Sequence, residues 1–325
     1  MSVLLSILLA FSIGSLEAAA NCQNMINATT LQTCEETAES FIKNTGRVPA
    51  ISNPITLKDA NNEPVAIVFD ISSNGYIIVN IDDMSIAELS FDSANPFTEY
   101  ANAIYNGPLE YYYSENGVIK KIRNNVIVNS SALNYYSNRN TITQSENSAN
   151  YFSYPASLNI VVEKYLTGTL QTWYIGGGNC GSIAAAICMR YYYDYVSTNY
   201  VASNNTSMNS LISTMQDFVG TGGTSYSSMV SGLNSYFNAR NISNTALRNT
   251  TFSFSRVKQS IRANRPIIVG TSGHETYGNH WVIAHGYYES RVDGNYLIVN
   301  NGWGSNNIWI ESNTTTLDGS IYFAS

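Results

Sequence analysis

Two kinds of hydrophobic spacing follow one another along this chain, and they divide it into two halves. Residues Thr33 to Lys43 (TCEETAESFIK) place apolar or small side chains at helical intervals, and Gly46 and Pro49 stop the run. Alternating segments follow: Pro64–Asp70 (PVAIVFD), Tyr76–Asn80 (YIIVN) and Ser85–Phe91. Asn74-Gly75 between the first two predicts a hairpin. Residues 21 to about 128 therefore read as one helix packed on an antiparallel sheet. Residues 137–150 (SNRNTITQSENSAN) carry a single large apolar side chain, Ile142, too little to order the stretch, which predicts an exposed and cleavable link. The second half begins near Tyr151. Ala, Ile and Met dominate the first three turns of a helix expected from about Cys180 to Tyr195 (CGSIAAAICMRYYYDY), and another helix is expected from about Phe254 to Ala263. Pro266 opens the strand IIVG, and the apolar strands Trp281–Tyr287 and Tyr296–Asn300 flank the turn Asp293-Gly294. Helix first and sheet last predicts an α+β class. At 325 residues the chain is long enough for two modest domains, each expected to have its own core.

The opening segment 1–20 (MSVLLSILLAFSIGSLEAAA) has an apolar run from Val3 to Ile13 and a small-residue stretch at Ala18–Ala20, the pattern of a signal peptide without its usual positive start. The run is too short to span a bilayer comfortably. Asn21 rather than a small residue precedes Cys22, which argues against a lipoprotein. A secreted protein with no stable membrane association is the expectation. Composition sharpens this: 44% of residues are hydrophobic and only 12% charged, so Asn, Ser, Thr and 24 Tyr must supply the polar surface. A net charge of −7 with no basic run argues against a nucleic-acid partner. Asn-x-Ser/Thr sequons occur at Asn27, Asn129, Asn204, Asn205, Asn241, Asn249 and Asn313, several of them expected by chance in so Asn-rich a chain. Cys22 and Cys34 lie close enough in sequence to pair in an oxidising compartment. Cys180 and Cys188 would stand about 12 Å apart along one helix. No disulfide bridges that distance, so both are expected as free thiols.

Three segments carry candidate chemistry. Cys180 follows Gly176-Gly177-Gly178-Asn179 and opens an Ala-rich helix, whose free N–H groups and positive dipole end favour a thiolate. Such a thiolate attacks a carbonyl carbon, and the oxyanion forms beside the Cys180 N–H. The plain alternative is a buried structural cysteine, the expected role of Cys188. His280, in GNHWVIAHG (278–286), stands at the mouth of an apolar strand where an imidazole can face a cleft. His285, five residues on, points to the other face by strand alternation and reads as a core histidine. His274 lies in the Gly-flanked loop 270–279, either on a lid or simply exposed. His274-Glu275 has no second His at helical spacing, and His280 and His285 oppose one another, so neither metal nor cofactor is expected. In VNNGWG (299–304) an amide side chain could accept from His280 Nδ1–H and fix its tautomer, with Trp303 shielding the bond. Alternation lets only one of Asn300 and Asn301 face the ring; a plain strand-end turn is the other reading.

Taken together these segments resemble papain-clan cysteine peptidases, most specifically the streptopain-like family. The Gly six residues after His280 (Gly286), the turn Asn264-Arg265-Pro266-Ile267 into the central strand, and Val-Asn-Asn-Gly-Trp-Gly all follow that family's pattern. The resemblance implies Cys180 as nucleophile, His280 as general base and acid, and Asn300 as the orienting residue, whereas papain-type spacing would choose Asn301. It also implies Gln171, in LQTWYIGGGNC, as the oxyanion-hole amide. Residues 21–136 are similar to the family's inhibitory prodomain, followed by the cleavable linker 137–150 and a papain-like peptidase domain at 151–325. The implied partners are protein or peptide substrates and the chain's own prodomain. Gly178-Asn179-Cys180-Gly181 lacks papain's preceding cysteine, and Cys-Gly before a small-residue helix also resembles the C39-like peptidases. An acyltransferase, transglutaminase or amidase on the same Cys/His/Asn scaffold, or a non-catalytic secreted binding protein, are the alternatives.

Overall fold

The computed structural model describes residues 26–72, 74–134, 136, 161–175, 178–271, 280–312 and 317–324. The expected signal segment, Cys22, the link 137–150 and His274 lie outside the described residues.

The first half folds as a helix on a sheet. Helix α1 (Ala28–Asn44) starts five residues before the predicted one, because the Asn27 side chain accepts the Thr30 N–H at 2.8 Å and caps it. Its buried face, Cys34, Ala38, Phe41 and Ile42, packs with Ile67, Phe69, Ile77 and Val79. Those four belong to β2 (Pro64–Ile71) and β3 (Gly75–Asn80), which follow β1 (Ile51–Lys58). The β2–β3 hairpin closes at Ile71↔Gly75, with Asn74 supplying a positive φ of 82°. Then come β4 (Ile86–Ser90), β5 (Ala103–Tyr105), β6 (Tyr111–Glu115), β7 (Val118–Lys121) and β8 (Ile127–Val128). Spatially they run β4-β3-β2-β1-β5-β6-β7-β8, antiparallel except for β1 beside β5.

The second half opens with β9 (Val162–Tyr165) and a group of helices: α2 (Cys180–Tyr195), α3 (Met208–Val219) and α4 (Tyr226–Ala239). The first matches its predicted range. The other two were not predicted, although Ser207 and Ser225 cap them by accepting from the Ser210 and Ser228 N–H groups. Every residue of α2 from Gly181 to Met189 is buried, so it is a central helix without a solvent face over that length. Strand β10 (Thr245–Asn249), helix α5 (Phe254–Arg262) and strands β11 (Ile267–Thr271), β12 (His280–Ser290), β13 (Gly294–Asn300), β14 (Ile308–Glu311) and β15 (Leu317–Ala324) complete the half. They order as β10-β15-β11-β12-β13-β14, with β9 pairing on β12 outside that path. The mixed α+β character is compatible with a papain-like peptidase.

The two halves do not keep separate cores. Strand β14 pairs antiparallel with β4, Ile308↔Ser90 and Ile310↔Glu88, which joins both sheets into one of fifteen strands. Phe41 of α1 meets Tyr296 edge-on at 5.1 Å within a cluster that also holds Tyr288 and Trp309. Arg47 bridges to Glu163 at 3.0 Å. The physical reason is edge satisfaction: each sheet ends in a strand whose open N–H and C=O groups the other one covers. Cys34 is a free, wholly buried thiol whose sulfur lies 3.7 Å from Met84 Sδ. Cys188 is likewise free and buried, as its spacing from Cys180 requires.

Beside the seam a single carboxylate organises four strands. Glu88 of β4 is fully buried and accepts from the hydroxyls of Tyr76, Tyr111 and Tyr105 and from the Leu109 N–H at 2.8 Å. Loss of hydration outweighs these donors and raises its pKa from 4.5 to about 7. Because the folded value lies above the unfolded one, the contribution to stability is complete below about pH 4.5 and is lost as pH rises through 7. Thermal unfolding followed by circular dichroism should therefore show stability falling by up to about 3 kcal/mol between about pH 4 and pH 8. Glu88→Gln keeps an acceptor for the tyrosines and should flatten that slope; an unchanged slope would assign it to other groups.

Candidate active site

The site forms where the first residue of a helix meets the first residues of a strand. Cys180 begins α2, which packs across β12, and β12 begins at His280. The backbone N–H groups of Trp281, Gly181 and Cys180 itself lie near enough to the Cys180 sulfur to favour its thiolate. Trp281 is anchored on the other side: its indole N–H donates to the Thr224 carbonyl at 3.0 Å, and Tyr226 meets its ring edge-on at 4.5 Å. Thr224 also presses on Gly181, where a Cβ would stand 2.5 Å from Thr224 Oγ1. The residue after Cys180 must therefore be glycine for the helix to sit this close to Trp281.

His280 is 8% exposed and stacks on Trp303, with ring centroids 3.8 Å apart. Its Nε2 lies 2.9 Å from the backbone carbonyl of Asn301. A carbonyl only accepts, so Nε2 carries the proton and Nδ1 keeps a lone pair. This corrects the expected orienting contact, an amide side chain on Nδ1. Both amides are held by the turn instead. Asn300 accepts the Gly302 N–H at 2.9 Å and donates to the Gln171 backbone carbonyl at 3.1 Å. Asn301 accepts from the Trp303 and Ser305 N–H groups at 2.8 and 3.0 Å. Asn300, wholly buried, thus ties the strand end to the segment leading into Cys180, while Gln171 itself is exposed. His285 is a core histidine bonded to the Val299 backbone, and burial lowers its pKa to about 4. Among the described residues no three His, Cys, Asp or Glu side chains converge as a metal site would need.

Side chains of the first half cover this place, and sequence reasoning missed them. The Arg123 guanidinium lies 3.9 Å from the Tyr174 ring centroid and 4.4 Å from that of Trp303. Lys121 stands 4.9 Å from the Trp303 centroid and pairs with Glu110 at 3.2 Å. The one signal in the sequence was five charges (Glu110, Glu115, Lys120, Lys121 and Arg123) within residues 110–123 of a chain that carries few. Their effect on the titrating pair is direct. Burial lowers the His280 pKa from 6.5 to about 3, Lys121 and Arg123 push the same way, and Glu110 and the Asn301 carbonyl oppose them. Burial likewise raises Cys180, against the three amides and Arg123. Both shifts favour the neutral thiol and the neutral imidazole, against the thiolate that the helix terminus favours.

A thiol at the start of α2 near the backbone of Trp281, and an imidazole of fixed tautomer on the residue before Trp281, mark a candidate site for nucleophilic acyl chemistry. Residues 169–319 match the Peptidase_C39 like family, a segment that includes Gln171, Cys180, His280, Asn300 and Asn301. The match supports a papain-like cysteine peptidase at the level of the family. It falls on the C39-like kinship rather than the streptopain-like one. No curated protein matches the chain.

The electrostatics carry a measurable consequence. Alkylation of Cys180 by iodoacetamide, quantified by mass spectrometry, should be slow at neutral pH in the full chain and quicken only as pH rises past the raised thiol pKa. The double substitution Lys121→Ala with Arg123→Ala opens the cover and removes both cations from His280. Hydration of the thiol, whose burial is the largest cause of its raised pKa, should outweigh loss of the Arg123 charge that favours the thiolate and move the rate profile to lower pH; an unmoved profile, or one moved to higher pH, would mean that these side chains do not control the thiol by covering it.

Proposed function

We propose that this chain is a secreted cysteine endopeptidase made as an inactive precursor, with residues 21–136 as the inhibitory unit, 137–150 as the segment to be cut and 151–325 as the peptidase. One observation carries the reading: the backbone N–H of Trp281, the residue next to His280, is among the groups that favour a Cys180 thiolate at a helix N-terminus. In this reading His280 Nδ1 takes the Cys180 proton and the thiolate attacks a peptide carbonyl. The Gln171 amide and the Cys180 N–H receive the oxyanion. His280 returns the proton to the departing amine, and water then cleaves the thioester to release the acid and regenerate the thiol. No cofactor takes part. Asn301 positions the imidazole through its main-chain carbonyl, and Asn300 positions Gln171 through its backbone.

The cover supplied by Lys121 and Arg123 supports inhibition by the first half. Lys121 and Arg123 disfavour the His280 imidazolium and burial disfavours the Cys180 thiolate, so uncovering the site would hydrate both groups and relieve the largest cause of each shift. The match over residues 169–319 begins beyond the proposed cut, consistent with a separable peptidase unit.

Incubation of the purified full chain with a thiol reductant should yield a product whose new N-terminus lies within or just after residues 137–150, found by mass spectrometry. Cys180→Ala should lower peptide cleavage by at least about a thousandfold with folding retained. Full turnover in that variant would refute the assignment of the nucleophile.

A further inference from the structure

We propose that Tyr174 and Trp303 form a guanidinium subsite beside Cys180, so that the enzyme selects substrates presenting an arginine side chain there. The inference rests on the peptidase reading of Cys180 and His280, and deepens it. Both walls of the slot belong to the second half: Tyr174 lies on the segment running into α2, and Trp303 on the turn after β13. They remain when the first half is gone. The turn is shaped for this approach, since Gly304 holds a φ of +90° and a Cβ there would already touch Tyr174 Cβ at 4.0 Å.

What fills the slot now shows what it recognises. Arg123 lies with its guanidinium carbon 3.9 and 4.4 Å from the two ring centroids, a flat cation between two π faces. Its Nε is buried without a hydrogen-bond partner among the described residues, so the slot holds that edge by the rings rather than by an acceptor. Lys121 provides a contrast within the same neighbourhood. Its ammonium approaches Trp303 no closer than 4.9 Å and takes the Glu110 carboxylate as a partner. A compact, strongly hydrated ammonium needs such an acceptor, whereas a weakly hydrated planar guanidinium can lie on the rings, with the Tyr174 hydroxyl ahead of Glu110 among the groups that favour its charge. Glu110 departs with the first half, leaving a slot suited to arginine and poorly suited to lysine. An arginine bound there would also stand where Arg123 favours the Cys180 thiolate, so the preferred side chain helps to activate the nucleophile that cuts its chain.

The test vacates the slot in the full chain with Arg123→Ala. N-acetyl-arginine methylamide is then compared with its lysine, norleucine and phenylalanine counterparts as protectants of Cys180 against iodoacetamide, with labelling read by mass spectrometry. The arginine compound should protect at about tenfold lower concentration than any of the others. Adding Tyr174→Ala should erase that advantage. Arg123→Gln serves the same purpose if circular dichroism shows the alanine variant unfolded. Equal protection by all four compounds, better protection by phenylalanine, or an arginine advantage that survives Tyr174→Ala would overturn the proposal. Because protection is read without turnover, the two readings fail separately. Selective protection with no peptide cleaved by the processed chain would refute the peptidase alone. Cleavage without arginine preference would refute only the subsite.

Discussion

The constraint on which the rest of the site depends is a main-chain one: the backbone of Trp281 brought near the sulfur of Cys180, where its N–H favours the thiolate. It fixes the start of an enclosed helix against the start of a strand a hundred positions away. Neither side chain of the candidate pair could do this alone. Gly181 permits the approach, and Thr224 enforces it from both sides by pressing on that glycine and accepting from the Trp281 indole. His280 then inherits its position from the residue after it. The Asn301 carbonyl, fixed by a turn in which both neighbouring amides are spent, sets which nitrogen carries the proton. Pre-organisation here is a property of backbone geometry more than of the side chains that share the site.

Magnitudes decide the protonation state. A helix N-terminus contributes less than about one pKa unit to a thiolate, while burial shifts an ionisable group by up to several. The ordering of causes at both groups follows this: loss of water comes first at Cys180 and at His280, ahead of the amides and the neighbouring charges. Arg123 acts with opposite sense on the two, favouring the thiolate and disfavouring the imidazolium, so its charge alone would leave the pair nearly balanced.

Much of this was legible in the sequence. Apolar spacing located α1, the β2–β3 hairpin, α2, α5 and the strands around His280, because in those segments period and burial agree. Helices α3 and α4 were missed although serine caps mark their starts, since Ser-rich surroundings hid the caps among many similar residues. At the site the residue types were legible but their contacts were not. Whether Asn300 or Asn301 faced the histidine was framed as a choice between side chains, and the group on the ring is a carbonyl that no spacing rule reveals. The charges around Arg123 and Lys121 were visible but their place was not: they meet Trp303 only through the joining of two sheets, and periodicity says nothing about which sheet edges find each other.

That joining bears on how a precursor of this build would be released. The proposed cut falls in 137–150, yet the first half is held by much more than its connection to the second. Strand β4 is laddered to β14 through Ser90, Leu89 and Glu88, and α1 shares a buried aromatic cluster with Tyr288, Tyr296 and Trp309. Severing the chain removes none of these contacts. It changes only the entropy, by allowing the freed half to diffuse away once it opens. Opening exposes the edges of β4 and β14 together with apolar rings, so it is expected to coincide with unfolding of the first half rather than with rigid departure. Glu88 lies on the laddered strand itself, and its carboxylate ties β4 to the 105–111 segment from which Glu110 reaches Lys121. The residue that sets the pH dependence of the first half is therefore linked through two contacts to the side chains covering Cys180. Conditions that loosen that half would uncover the site by the same event.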